Sequence, residues 1–231
     1  MLLLAMDTST PAVTVALHDG DRTVAETTTV DARRHTELLA PALVGLLAEA
    51  GADRRDLTDI AVGVGPGPFT GLRVGLAAAR TLGAALDIPV IGVCSQDIIA
   101  HGVRAAGADA GMPFIVATDA RRREVYWAYY APTGERLAGP QVGPAADIAS
   151  SLPAEVKSAP LRAAGAGALL YAEAFAAVLE PEYPSAGDLA SAVVSKAVPI
   201  VSPEPMYLRR PDVAPPSPRK SVLTSMRSTA H

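Results

Sequence analysis

Val62-Gly63-Val64-Gly65-Pro66-Gly67-Pro68-Phe69-Thr70-Gly71-Leu72-Arg73 joins an apolar strand to a helix through a loop of glycine and proline. A short apolar run followed by helical periodicity is the repeating unit of an α/β sheet covered by helices. The spacing predicts a strand over 60–65 and a helix over 71–86. Thr70 is placed as the N-cap, where a hydroxyl suits the first unpaired N–H groups. Glycines ahead of a helix N-terminus can hold an anion. Here the pattern is neither G-x-G-x-x-G nor a P-loop, and Pro66 and Pro68 each remove an N–H donor. A rigid turn that aims the helix therefore stays open beside the anion site.

Towards the N-terminus, residues 2–6 form a continuous apolar run that ends in Asp7-Thr8-Ser9-Thr10-Pro11. This reads as a buried strand entering a polar turn. Val13, Val15 and Leu17 alternate in a second strand, Asp19-Gly20-Asp21 makes a hairpin turn, and 24–30 is a threonine-rich third strand. A helix is expected over 33–50, with Leu39, Leu43, Leu46 and Leu47 on one face and Gly51 as its stop. Towards the C-terminus, 89–93 is a strand, and Ser95 is placed as the cap of a helix reaching Ala106.

After Gly107-Ala108-Asp109-Ala110-Gly111 the pattern restarts, with a strand over 114–118 ending in Asp119, an aromatic strand over 124–130 and a turn at Gly134. This echoes the opening order of strand, aspartate, strand and turn. The expected division is an N-terminal lobe over 1–106, a smaller related lobe over 112–208 covered by helices near 168–179 and 188–197, and a basic Pro/Ser-rich disordered tail over 209–231.

Composition narrows the function classes. Hydrophobic residues make up 49% and charged residues 19%, enough for a core of Ala, Val, Leu and Ile. The net charge of −4 argues against a self-sufficient nucleic-acid binder. One cysteine, Cys94, excludes an internal disulfide and fits a reduced, cytoplasmic setting. The first residues lack a basic leader region, and no apolar stretch is long enough for a membrane span.

Asp7, Thr8 and Ser9, with Gly65, Gly67 and Thr70, are the candidate nucleotide-binding set, an acid and hydroxyls facing a metal–phosphate group as in sugar kinases, actin and Hsp70. A turn that bonds its own backbone is the competing reading. Asp119 is the candidate second acid, and a solvated salt-bridged turn with its neighbours Arg121, Arg122 and Arg123 is the competing reading. His18, His35, His101 and His231 match no metal motif, and Cys94 ends an apolar strand as a buried, inert thiol. Gly71, Gly75, Ala79 and Gly83 recur every four residues, a ridge of small side chains that allows close approach of another backbone, either a partner's or that of the chain's own sheet.

The chain resembles the TsaB family, also called YeaZ. The likeness is carried by residues 61–79, and by Asp7-Thr8-Ser9, His35-Thr36-Glu37, Thr118-Asp119-Ala120-Arg121 and Tyr207-Leu208-Arg209. It implies a two-lobed actin-like, ribonuclease-H-like α/β fold (the ASKHA fold) with mixed sheets flanked by helices. It implies a non-catalytic subunit in the formation of N6-threonylcarbamoyladenosine beside the anticodon of tRNAs that read A-starting codons. The partners implied are a TsaD-like catalytic subunit, a TsaE-like ATPase, a second copy of the chain in a homodimer, and tRNA indirectly, with no membrane. Partner contacts are then expected at His35, Leu39, Leu43, Leu46, Gly71, Gly75, Ala78, Ala79, Leu82 and Gly83. The isolated chain would need no cofactor, with ATP or ADP a candidate at the TsaD junction.

TsaD-like proteins carry two metal-binding histidines in Gly-Val-Asn-His-Leu-Glu-Gly-His. Here the segment is Gly92-Val93-Cys94-Ser95-Gln96-Asp97-Ile98-Ile99, with Ser95 and Ile99 at those two positions, and neither can replace an imidazole ligand. The competing functions are an ATPase or small-molecule kinase built on Asp7, Thr8, Ser9 and the 65–71 loop, and a metallopeptidase, which these residues disfavour.

Overall fold

The computed structural model describes residues 1–152 and 161–209. The chain opens with β1 (Leu3–Asp7), β2 (Ala12–His18), β3 (Thr23–Val30), α1 (His35–Glu49), β4 (Asp59–Gly63), α2 (Phe69–Leu86), β5 (Val90–Val93) and α3 (Ser95–Ala105). It continues through β6 (Phe114–Asp119), β7 (Val125–Tyr130), β8 (Arg136–Gly143), α4 (Ile148–Ser151), β9 (Arg162–Ala164), α5 (Ala166–Leu170), β10 (Ala177–Leu179), α6 (Ala186–Val194) and β11 (Ile200–Val201).

Two mixed sheets result, ordered β11-β5-β4-β1-β2-β3 and β10-β9-β6-β7-β8. In the first, β1, β2 and β3 form an antiparallel meander, and β4 and β5 run parallel to β1. In the second, β6, β7 and β8 repeat the meander while β9 and β10 run parallel to β6. The two sheets thus share one plan, as the sequence echo suggests, and each leading strand ends in an aspartate.

The period-two alternation of β1 explains how its sheet is covered on both faces. Leu4 and Met6 pack with Leu39 and Leu46 of α1 and Leu72 and Leu76 of α2. Leu3 and Ala5 face the other way, onto Ile98 of α3 and Leu189 and Ala190 of α6. The neighbouring face of α3, through Ile99, Ala100 and Val103, packs on Phe114, Val116 and Tyr130 of the second sheet. One helix therefore serves both cores.

Several expectations are corrected. The segment 112–208 is not one lobe, because α6 packs on the first sheet and β11 pairs with β5 at its edge. Residues 168–179 are not a helix. They comprise the end of α5, a short 3-10 turn and β10. β8, at a sheet edge, has no counterpart among the predicted strands. Thr70 is the second residue of α2, which begins at Phe69 after Pro68, and Ser95 is the first residue of α3, after Cys94. Of the tail, only Arg209 lies within the described residues.

Candidate functional site

The turn after β1 is closed by its own side chains. Asp7 is fully buried. Its Oδ1 accepts from the backbone N–H and the hydroxyl of Ser9, both at 2.7 Å, and its Oδ2 accepts from Ser95 Oγ at 2.6 Å. Ser95 Oγ in turn accepts from the Gly65 N–H at 3.0 Å. Ser95 thus opens α3 with its hydroxyl turned inwards, joining β1 to the glycine-proline loop. This approach requires Gly63, since a Cβ there would collide with the Asp7 carboxylate. A Cβ on Gly67 would collide with the Ser9 carbonyl. Burial raises the Asp7 pKa from its ordinary value, against the hydrogen bonds from Ser95 and Ser9, which lower it. The carboxylate has no open side towards an incoming phosphate.

Thr8 ties the same turn to α2. Its hydroxyl donates to the Gly71 carbonyl at 2.7 Å and accepts from the Gly75 N–H at 2.9 Å. Those are the two groups an uninterrupted helix would join, so the hydroxyl is inserted into the helical ladder. A Cβ on Gly75 would meet Thr8 Oγ1 at 2.7 Å, and one on Gly71 would meet the Thr8 carbonyl at 2.8 Å. His35, the first residue of α1, is buried with its Nε2 2.7 Å from the Thr10 carbonyl. It tethers the turn to the start of α1.

These contacts decide where the small-residue ridge points. Gly71 and Gly75 accommodate Thr8, Gly83 accommodates Val90, and Ala79 is 0% exposed within the first core. The ridge faces the protein's own sheet, and Leu39 and Leu46 are buried beside it. Of the expected partner contacts, Leu43, Ala78 and Leu82 are half-buried and pack against the same core. Val44 stands 71% exposed, and Val74 is half-buried, lining a cavity with Thr36, Phe69, Thr70, Arg73 and Ala77. Neither the second sheet nor α6 is among the main packing partners of these two helices.

A cavity of about 220 Å³ opens beside the first turns of both helices, lined by Thr8, Thr10, His35, Thr36, Thr70 and Arg121, among others. Two features lie beside it, the salt-bridged turn that the sequence offers for Asp119 and a second that the sequence reading missed. Arg121, Arg122 and Arg123 all adopt left-handed φ (60°, 57° and 61°) in the β6–β7 turn. Asp119, the supposed second acid, anchors that turn by accepting from the Arg121 N–H at 2.8 Å and pairing with its guanidinium at 3.2 Å. The other feature is a clamp in which Tyr207 stacks on Phe69 at 4.8 Å and accepts from Arg73 Nε at 2.7 Å. Arg73 itself lies 3.5 Å over the Phe69 ring. The Phe69-x-x-x-Arg73 spacing, one helical turn, is the signal that would have found it.

Cys94 is buried, and burial pushes its thiol up to about 12. Among the described residues no three His, Cys, Asp or Glu side chains are grouped to hold a metal ion, and no helix is long and apolar enough to cross a membrane.

The model of the family described as "TsaD: tRNA N6-adenosine threonylcarbamoyltransferase" matches residues 23–212. An uncharacterized protein of Mycobacterium tuberculosis is 45% identical over 218 residues, 92% of this chain and 94% of that protein. The Escherichia coli protein named tRNA threonylcarbamoyladenosine biosynthesis protein TsaB is 39% identical over 131 residues, 56% of this chain and 55% of its own length. The solved structure of YeaZ from Pseudomonas aeruginosa is 33% identical with a TM-score of 0.73, covering 90% of this chain and 99% of that one.

Proposed function

The chain belongs to the TsaB (YeaZ) family, and from this we propose that it is a non-catalytic subunit required for N6-threonylcarbamoyladenosine formation next to the anticodon of tRNA. In this reading it docks on a TsaD-like catalytic subunit through the outer side of α1 and α2. A TsaE-like ATPase joins that assembly, the same side accepts a second copy when the chain is alone, and tRNA is met through the partner. The work takes place in the cytoplasm.

One observation carries the proposal. Val44 stands exposed on α1, the adjacent Leu43, Leu47, Val74, Ala78 and Leu82 keep part of their surface outside the core they pack against, and the second sheet is not among the main packing partners of either helix. Apolar side chains grouped on one outer side mark an interaction surface. The closed turn supports the non-catalytic part. Asp7, Ser9 and Ser95 spend their hydrogen-bonding capacity on one another, and Ile99, at the second metal-ligand position of TsaD-like proteins, is buried in an apolar cluster. The cavity at the helix ends is the candidate place for ATP or ADP once a partner closes over it.

Reconstitution tests the reading. Purified TsaD-like and TsaE-like partners, threonylcarbamoyl-adenylate and unmodified tRNA should yield the modified nucleoside only when this chain is added. Full modification without it, or transfer by the chain alone, would overturn the proposal.

A further inference from the structure

A second polar centre lies away from the docking helices, where α3 meets the β7–β8 hairpin. Asp97, in the first turn of α3, is 3% exposed. Its Oδ1 accepts from the Tyr130 hydroxyl at 2.7 Å and lies 3.4 Å from Arg136 Nη1. Its Oδ2 has no hydrogen-bond partner in the protein, and neither has Arg136 Nη1, which is close enough for charge attraction only. A buried carboxylate oxygen and a buried guanidinium N–H are thus left unfilled side by side. A buried donor or acceptor without a partner is unfavourable, so a ligand group that fills it gains affinity.

Asp97 and Arg136 line a cavity of about 730 Å³ with Thr133, Gly134 and Glu135 of the β7–β8 turn and with Lys196, Ala197, Val198 and Pro199 between α6 and β11. Arg104 of α3 donates to the Thr133 carbonyl and fixes the turn that forms one wall. The charged side chains that line the cavity are Asp97 and Glu135 on one side of the balance and Arg136 and Lys196 on the other, with Arg104 behind the turn, so both signs are present. A net anion or a net cation would meet an unfavourable partner, whereas a molecule carrying both charges would not.

The geometry points to a binding site for a small zwitterion of the free α-amino acid class, with its ammonium group donating to Asp97 Oδ2 and its carboxylate accepting from Arg136. Arg136, whose side chain is 21% exposed, is the movable part. On binding it turns from its loose pairing with Oδ1 towards the ligand carboxylate, and the ligand ammonium takes the unpartnered Oδ2. Lys196 then faces the outer carboxylate oxygen, and the ligand side chain lies against Ala197, Val198 and Pro199.

Ligand-observed saturation-transfer NMR and calorimetry on the full chain test this, with alanine, glutamate and lysine as probes and acetate and methylammonium as single-charge controls. Alanine should bind in saturable fashion and at least roughly 10-fold more tightly than either control, as expected for loss of one charge-assisted hydrogen bond. Asp97→Asn should weaken alanine by a similar factor. Arg136→Gln and the surface variant Lys196→Ala guard against misfolding at Asp97, and both should weaken the ligand carboxylate contact. Absence of saturable binding to the folded wild-type chain would overturn the proposal. So would equal binding of alanine and the controls, or unchanged alanine binding in folded Arg136→Gln and Lys196→Ala.

Discussion

At the scale of single residues, the turn after β1 is built from side chains used as mortar. Thr8→Val keeps the shape of the side chain but removes both bonds to α2. It should cost about 1–3 kcal/mol in urea unfolding, because a buried carbonyl and N–H lose the partner set between them. Asp7 gives a pH signature. Its folded pKa is raised by burial above the ordinary 3.8, so the unfolded chain releases the proton first. The contribution of Asp7 to stability is fully present below 3.8 and declines as pH rises through the raised value. Asp7→Asn removes this decline, so the stability of the variant relative to wild type should improve with rising pH in paired urea titrations. Asp97 and Asp188 are also raised by burial, so the variant flattens only part of the slope. The sequence announced the residues of this turn but not their use. That Ser95 would bond a side chain 88 positions away, rather than cap its own helix, is a product of tertiary packing, and no local pattern encodes it.

At the scale of elements, α1 and α2 separate an inward face from an outward one, and substitutions should distinguish them. Val44→Arg and Ala77→Arg lie at exposed positions and should sharply reduce co-purification with a TsaD-like partner while leaving the unfolding free energy within about 0.5 kcal/mol of wild type. Ala79→Arg puts a charge into the core and should abolish the cooperative melt followed by circular dichroism. The sequence resolved these helices well, since their leucine periodicity agrees with their burial. It left the ridge open between two readings, because small residues every four positions describe close approach without naming what approaches. Elsewhere the signals were weaker than the long-range terms. β8 contains Gly139, Pro140 and Gly143, which read as loop, yet an edge strand tolerates them. Residues 177–179 look like the end of an alanine-rich helix, but pairing with β9 makes them a strand. A two-residue strand such as β11 lies below any periodicity signal.

At the scale of the whole molecule, the two sheets were legible as a repeat, because each begins with an apolar strand ending in aspartate and continues into a hairpin. The boundary between them was not, since it depends on where α6 packs. A fragment covering 1–112 contains five of the six strands of the first sheet but lacks the helix that covers Leu3, Ala5 and Ala16. It should show no cooperative unfolding and should bind a hydrophobic dye. A fragment extended to 209 should melt as the full chain does.

The return of α6 also orders events in time. A ribosome delivers residues 1–106 first, yet the surface that seals one side of their sheet emerges only with residues 186–194. The first sheet must therefore wait, covered on one side only in part, for a helix that begins about 90 residues after α3 does, and the intervening sheet matures as an insertion within an unfinished host. Pausing translation before residue 186 should leave the nascent chain open to chaperones, while a pause later, once this helix has left the exit tunnel, should not.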